Sequence, residues 1–153
     1  MSKLLKTITF IFFVLVTACG YQPLLNSEKI NFYLSEINFE GDKQINNFIS
    51  NNLEKYKKKK DNLKEYKVKI VSNYNKNIVN KDDSGNPKNY NLEITLNVLI
   101  ISDEDKQINR ILKRNIPLSS QDKKIKEIEL EKQYKKNISN LLIQDLVFLL
   151  INK

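Results

Sequence analysis

The chain of 153 residues has no histidine, one cysteine and three glycines. Each shortage removes a class of chemistry. Without histidine, the commonest general base and a principal metal ligand are missing. Gly20, Gly41 and Gly85 are too few and too scattered for a phosphate-cradling loop, or for the strained elbow that presents a catalytic serine. The two acidic clusters, Asp82-Asp83 and Asp103-Glu104-Asp105, fall among turn residues, where carboxylates are ordinary, so they do not read as a glycosidase pair. Neither has a spacing that suits a hard cation. The composition points away from an enzyme and from a metal protein, and no cofactor is implied.

What is present begins at the N-terminus. Lys3 and Lys6 precede an uncharged run from Thr7 to Ala18, which ends in Val16-Thr17-Ala18-Cys19-Gly20. A charged start, a short apolar stretch and small residues before a cysteine make a lipoprotein signal peptide. The run is well short of the roughly 20 residues a membrane-crossing helix needs. Residues 1–18 are thus expected to be removed and Cys19 to carry covalent lipid. More than one acyl chain makes such an anchor effectively permanent. With its sole thiol lipidated, the chain has no disulfide.

The formal charge is +8, and +6 once Lys3 and Lys6 are lost with the leader. A basic chain ordinarily raises nucleic acid as a partner, but export removes this one from it. Anionic lipid head groups and glycolipid phosphates are the available alternatives, and a Lys/Asn/Ile-rich composition accounts for the excess without any ligand.

Residues 19–29 read as a lipidated tether and 30–153 as one domain. A strand is predicted over Ile30–Glu40, with its apolar parity switching near Ser35-Glu36, which marks a bulge. Asp42 then caps a helix carrying Ile45, Phe48, Ile49, Leu53 and Tyr56. Lys57 to Lys60 follow it, as cations suit a helix C-terminus. Three strands come next. One alternates Tyr66, Val68, Ile70, Ser72 and Tyr74 with lysines and Asn73. The second runs Tyr90 to Ile100 with strict period two, after the turn Asp82–Pro87. The third carries Ile108, Leu112, Ile116 and Leu118 with Arg110 and Arg114 on the same parity, which predicts an edge position. Ser119 to Asp122 has capping-box spacing for a last helix reaching Ile151. In that helix Tyr134, Ile138, Leu141, Leu142, Leu146 and Leu149 form one stripe.

A strand–helix–strand start needs a parallel crossover, and the short turns afterwards imply antiparallel hairpins. The expectation is an α+β two-layer sandwich, a mixed four-stranded sheet with two helices on one face, in the order β-α-β-β-β-α. Asn91, Glu93, Thr95, Asn97, Lys67 and Lys69 would leave the other face polar.

The segment Cys19-Gly20-Tyr21-Gln22-Pro23-Leu24, followed by this element order, resembles the LPS-assembly lipoprotein (LptE) family. The chain departs from that family in being small, rich in lysine and asparagine, and poor in glycine. The resemblance implies a non-enzymatic lipoprotein at the periplasmic face of the outer membrane. It would help assemble and plug a β-barrel LPS translocon, an LptD-like partner, and bind lipopolysaccharide. Other interaction lipoproteins remain open: an auxiliary subunit of an ABC-type lipid transporter, or a pilot or activator of another envelope machine. Arg110, Lys113 and Arg114 on one strand, with Lys88 near a hairpin start, are the candidate glycolipid contacts; solvated edge-strand charges are the alternative. Val147, Leu150 and Ile151 lie outside the last helix's stripe. They are candidates for contact with a partner protein, unless the same molecule covers them.

Overall fold

The computed structural model describes residues 30–58, 63–104 and 106–153. The leader, Cys19 and the tether lie outside them. The first strand, β1 (Phe32–Gly41), holds Phe32 and Leu34 in the core. Leu34 pairs with Tyr66 and Glu36 with Lys67, so Ser35 is the extra residue of a bulge. The parity switch therefore has its predicted cause: beyond the bulge Ile37 and Phe39 pack against the core.

Gly41 ends β1 at φ +94°. A Cβ there would lie 1.9 Å from the Ser72 carbonyl oxygen, so only glycine fits this approach. Asp42 caps α1 (Lys43–Leu53), its carboxylate accepting from the backbone N–H groups of Gln44 and Ile45 at 2.9 Å each. Ile45, Ile49 and Leu53, each four apart, form the buried edge of that helix. It ends in a 3-10 turn, Glu54–Tyr56, which stacks Tyr56 on Phe32 with ring centroids 5.5 Å apart. Of the four-lysine run, Lys57 pairs with Glu54, and Lys59 and Lys60 lie outside the described residues.

After the crossover, β2 (Lys64–Lys81) runs parallel to β1. β3 (Pro87–Ser102) and β4 (Gln107–Ser119) follow antiparallel, in the sheet order β1-β2-β3-β4. The arginine-bearing strand is an edge, as its charges require. On one face Val68, Ile70 and Ser72 sit beside Ile100, Val98 and Leu96. With α1 and the long helix α2 (Lys124–Ile151) these form one core. The fold is α+β, β-α-β-β-β-α, a mixed four-stranded sheet with two helices.

Two expectations for α2 are corrected. Ser119 stays in β4, and α2 starts only at Lys124, with no side-chain cap at Lys123. The Ser120 hydroxyl donates instead to the Glu127 carboxylate at 3.2 Å. The single stripe is also wrong. Leu141 is exposed and Leu149 half-buried, whereas Ile143, Val147 and Leu150 are buried. Val147 and Leu150 are therefore core residues and not partner contacts, and Ile151 packs half-buried against the same core.

The physical reason is the second helix. Ile125 and Ile143 differ by about five full turns and so lie on one side of α2. Ile143 is buried, yet Ile125 is 75% exposed. α1 packs against α2 and is much the shorter, so it can cover one side of α2 over only part of its length.

Candidate functional site

The four candidate cations do not converge. Arg114 is held by Asp145 of α2 through two parallel bonds of 2.8 Å, Nε to Oδ2 and Nη2 to Oδ1. That pairing raises the guanidinium pKa above its ordinary value, through the hydrogen bond and the neighbouring charge. Lys113 Nζ lies 2.8 Å from Glu93 Oε2 on the neighbouring strand. Lys88 lies level with Ser120, whose N–H donates to its carbonyl at 2.9 Å. Ten residues of strand separate it from Arg110, on the order of 30 Å. One phosphate cannot touch both. Among the described residues Arg110 has no acidic partner; its guanidinium donates only to the Asn109 carbonyl, at 2.9 Å.

A groove of about 450 Å³ opens on the sheet face away from the helices; Arg110 touches it from the edge strand but shares the β4 parity of Ile108, Leu112 and Arg114, which face the core and α2. Lys69, Val71, Leu99 and Ile111 line the groove with Arg110 and Asn109. Register explains the grouping. Val71 pairs with Asn97, and Asn97 with Ile111, so Leu99, two residues along β3, is the diagonal neighbour of both apolar side chains. Ile101 extends the apolar line toward Lys67. Ile111 is 72% exposed. This face is thus not uniformly polar, contrary to expectation. The missed signal was the adjacent apolar pairs Ile70-Val71, Leu99-Ile100 and Ile111-Leu112, since neighbours in a strand point to opposite faces.

Lys69 borders the groove on the β2 side and is paired with Glu40 of β1 at 2.6 Å. The arrangement offers an apolar floor between cations and side-chain amides. It can hold an amphiphile; it has no nucleophile–base pair. Among the described residues no three side chains cluster as metal ligands, and no helix is long and apolar enough to cross a membrane.

A second polar cluster lies between β2 and the start of α2, on the helix face. Lys76 Nζ reaches both Glu127 Oε1 and Glu131 Oε2 at 2.9 Å. Lys124 donates to Glu127 at 2.8 Å, and the Tyr74 hydroxyl to Glu131 at 2.8 Å. Glu127 is only 2% exposed. The hydrogen bonds from Lys124 and Lys76 outweigh its burial and pull its carboxyl down to about 2. Burial opposes the charge on Lys76, but the two carboxylates win and its pKa is raised. Every strong donor and acceptor is matched, so the cluster is an internal tie and not a ligand site.

No protein-family model matches the chain, and no curated protein matches it. Solved structures do. Rare lipoprotein B from Shewanella oneidensis superposes with a TM-score of 0.54 at 10% identity, over 76% of this chain and 97% of that one. Lipoprotein B from Nitrosomonas europaea gives 0.56 at 12% identity, over 84% and 88%. A minor lipoprotein from Acinetobacter baumannii gives 0.53 at 12%, over 79% and 93%. At these identities the similarity is one of fold. All three are named as lipoproteins, and none of the names carries an activity.

Proposed function

We propose that this chain is a non-enzymatic lipoprotein, anchored through lipid on Cys19 at the periplasmic face of the outer membrane. It helps assemble and plugs an LptD-like β-barrel translocon and binds lipopolysaccharide on its way to the cell surface. The observation that carries the reading is the fold similarity to three lipoproteins along most of the chain. The Cys19-Gly20-Tyr21-Gln22-Pro23-Leu24 start adds to it. Arg110, bordering an apolar groove without an acidic partner, supports amphiphile binding; Lys88, Lys113 and Arg114 are secondary, for the reasons of distance and pairing above.

Crosslinking in native membranes, followed by pull-down of the tagged chain, tests the partner. A β-barrel that carries lipopolysaccharide is the expected product. Recovery of an ABC-type transporter or a secretin instead would overturn the assignment. Mass spectrometry of the N-terminus tests the anchor: an acylated Cys19 is expected, and an intact Met1 terminus would refute it.

A further inference from the structure

We infer that the free edge of β2 beyond Ser72 is a self-pairing surface, on which a second copy of this chain adds its own β2 antiparallel across a two-fold axis at Lys76. The inference goes beyond the proposed barrel and lipopolysaccharide roles and does not rest on them. β1 ends its pairing with β2 at Gly41 and Ser72, whereas β2 runs on to Lys81 with β3 alone beside it. The Lys64 N–H donates to the Asn31 carbonyl, and the Ser72 carbonyl accepts from the Asp42 N–H. Even-numbered residues of β2 therefore turn their backbone groups to the β1 side, because neighbours in a strand alternate. Among the described residues, no strand meets those of Tyr74, Lys76 and Ile78. Such an edge is a template for another strand.

The occupant follows from the residues along the edge. The sheet's other edge, β4, carries Arg110, Lys113, Arg114 and Pro117, which discourage pairing. From Asn73 to Ile78 the only charge is Lys76, and Glu127 and Glu131 hold its ammonium at 2.9 Å each. Antiparallel pairing centred on Lys76 sets Tyr74 opposite Ile78 on the helix face and Asn75 opposite Asn77 on the open face. An aromatic then meets a β-branched residue and an amide meets an amide, both favourable pairs. Tyr74, Lys76 and Ile78 exchange about six backbone hydrogen bonds with the copy. The two central lysines meet as like charges, each offset by its own two carboxylates. Ile78, 49% exposed, gains the copy's Tyr74 as cover. This self-complementarity is what an isologous two-fold contact needs. The register shift after Ile78 ends the regular edge. The contact is thus short and suits a reversible pair, favoured where a lipid anchor concentrates copies on a membrane.

The test uses the full lipoprotein in phosphatidylcholine vesicles, with single added cysteines as the free thiols once Cys19 is acylated. Asn75 and the copy's Asn77 meet at a non-hydrogen-bonded position, where Cα atoms lie about 4.5 Å apart and a disulfide fits. An oxidised mixture of Asn75→Cys and Asn77→Cys should give cross-linked pairs at least about fivefold above either variant alone. Asn109→Cys, on the β4 edge, should give background only. Ile78→Pro removes an N–H that points off the sheet, so the β2–β3 ladder and melting temperature should hold while cross-linking falls about tenfold. Ile78→Lys keeps the N–H and blocks the edge by charge, and should give the same loss in a folded protein. No excess in the mixture, an excess that survives both Ile78 variants, or stronger linkage through Asn109→Cys would each overturn the inference. So would capture of a different protein by these cysteines in native membranes, which would assign the edge to a heterologous partner. Barrel co-purification of wild type is read separately and decides only the proposed function.

Discussion

Arg114 on the edge strand and Asp145 on α2 face each other in a two-point ion pair, both bonds 2.8 Å. This geometry turns a residue that looks available in the sequence into a strap between the sheet edge and the helix. Arg110, four residues earlier, has no acidic partner among the described residues. Arg114→Ala should lower the melting temperature slightly, because the pair is partly exposed. It should leave capture of an anionic amphiphile unchanged, while Arg110→Ala reduces it. Side-by-side binding and melting curves of the two variants check this. Equal loss of binding in both would mean that Arg114 leaves Asp145 to meet the ligand.

Val147 and Leu150 are both fully buried. Replacing a buried leucine by alanine removes transfer free energy and leaves a cavity, so Leu150→Ala should cost about 3 kcal/mol in a denaturant melt of the isolated protein. Val147→Ser should also destabilise strongly, since it adds an unpartnered hydroxyl to the core. A near-normal melt with loss of the barrel partner would place these residues at an interface after all.

Gly41 ties the first strand to the second at a point where the Ser72 carbonyl leaves no room. The Asp42 N–H donates to that same oxygen at 3.2 Å, so the contact is part of the turn into α1. Gly41→Ala combines a positive φ with a backbone clash and should cost at least about 2 kcal/mol. Gly85, also at positive φ, has open space around its Cβ position. Gly85→Ala should cost less, about 1 kcal/mol, from backbone strain alone. Equilibrium unfolding of the two variants ranks them.

The layers of the fold were legible because local and tertiary preferences agree there. Strict alternation from Tyr90 to Ile100 needs a half-buried strand, the parity switch at Ser35 needs a bulge, and Asp42 before Ile45 and Ile49 needs a cap. α2 was misread where tertiary context decides. A helical wheel assumes one buried direction, but this helix meets the sheet on one flank and α1 on another over part of its length. Glu127 looks like a solvated first-turn acid, and nothing local shows that Lys76, some fifty residues earlier, closes over it. Of the candidate site, Arg110 was found from charge alone. Its apolar neighbours were not, because Val71, Leu99 and Ile111 come together only through strand register.

The tie between Glu127 and Lys76 makes stability depend on acid. Glu127 titrates at about 2 in the folded chain and at an ordinary carboxylate value of roughly 4.3 when unfolded. Its folded pKa is depressed, so the unfolded state binds more protons between those values. The contribution is complete above the ordinary value and disappears as pH falls toward 2. Glu131, also lowered, with Lys76 and Tyr74 outweighing its burial, adds to the same window. The other charged groups facing the pair are Lys124 and Lys135. Glu127→Gln keeps the shape but removes the charge, and should cost about 2 kcal/mol at pH 7. Denaturant midpoints of both proteins at pH 7, 5 and 2 measure the coupling. The gap between wild type and variant should be the same at pH 7 and 5 and should close at pH 2. A gap that stays constant down to pH 2 would mean that the glutamine loses packing or hydrogen bonds, and that the charge on Glu127 contributes nothing.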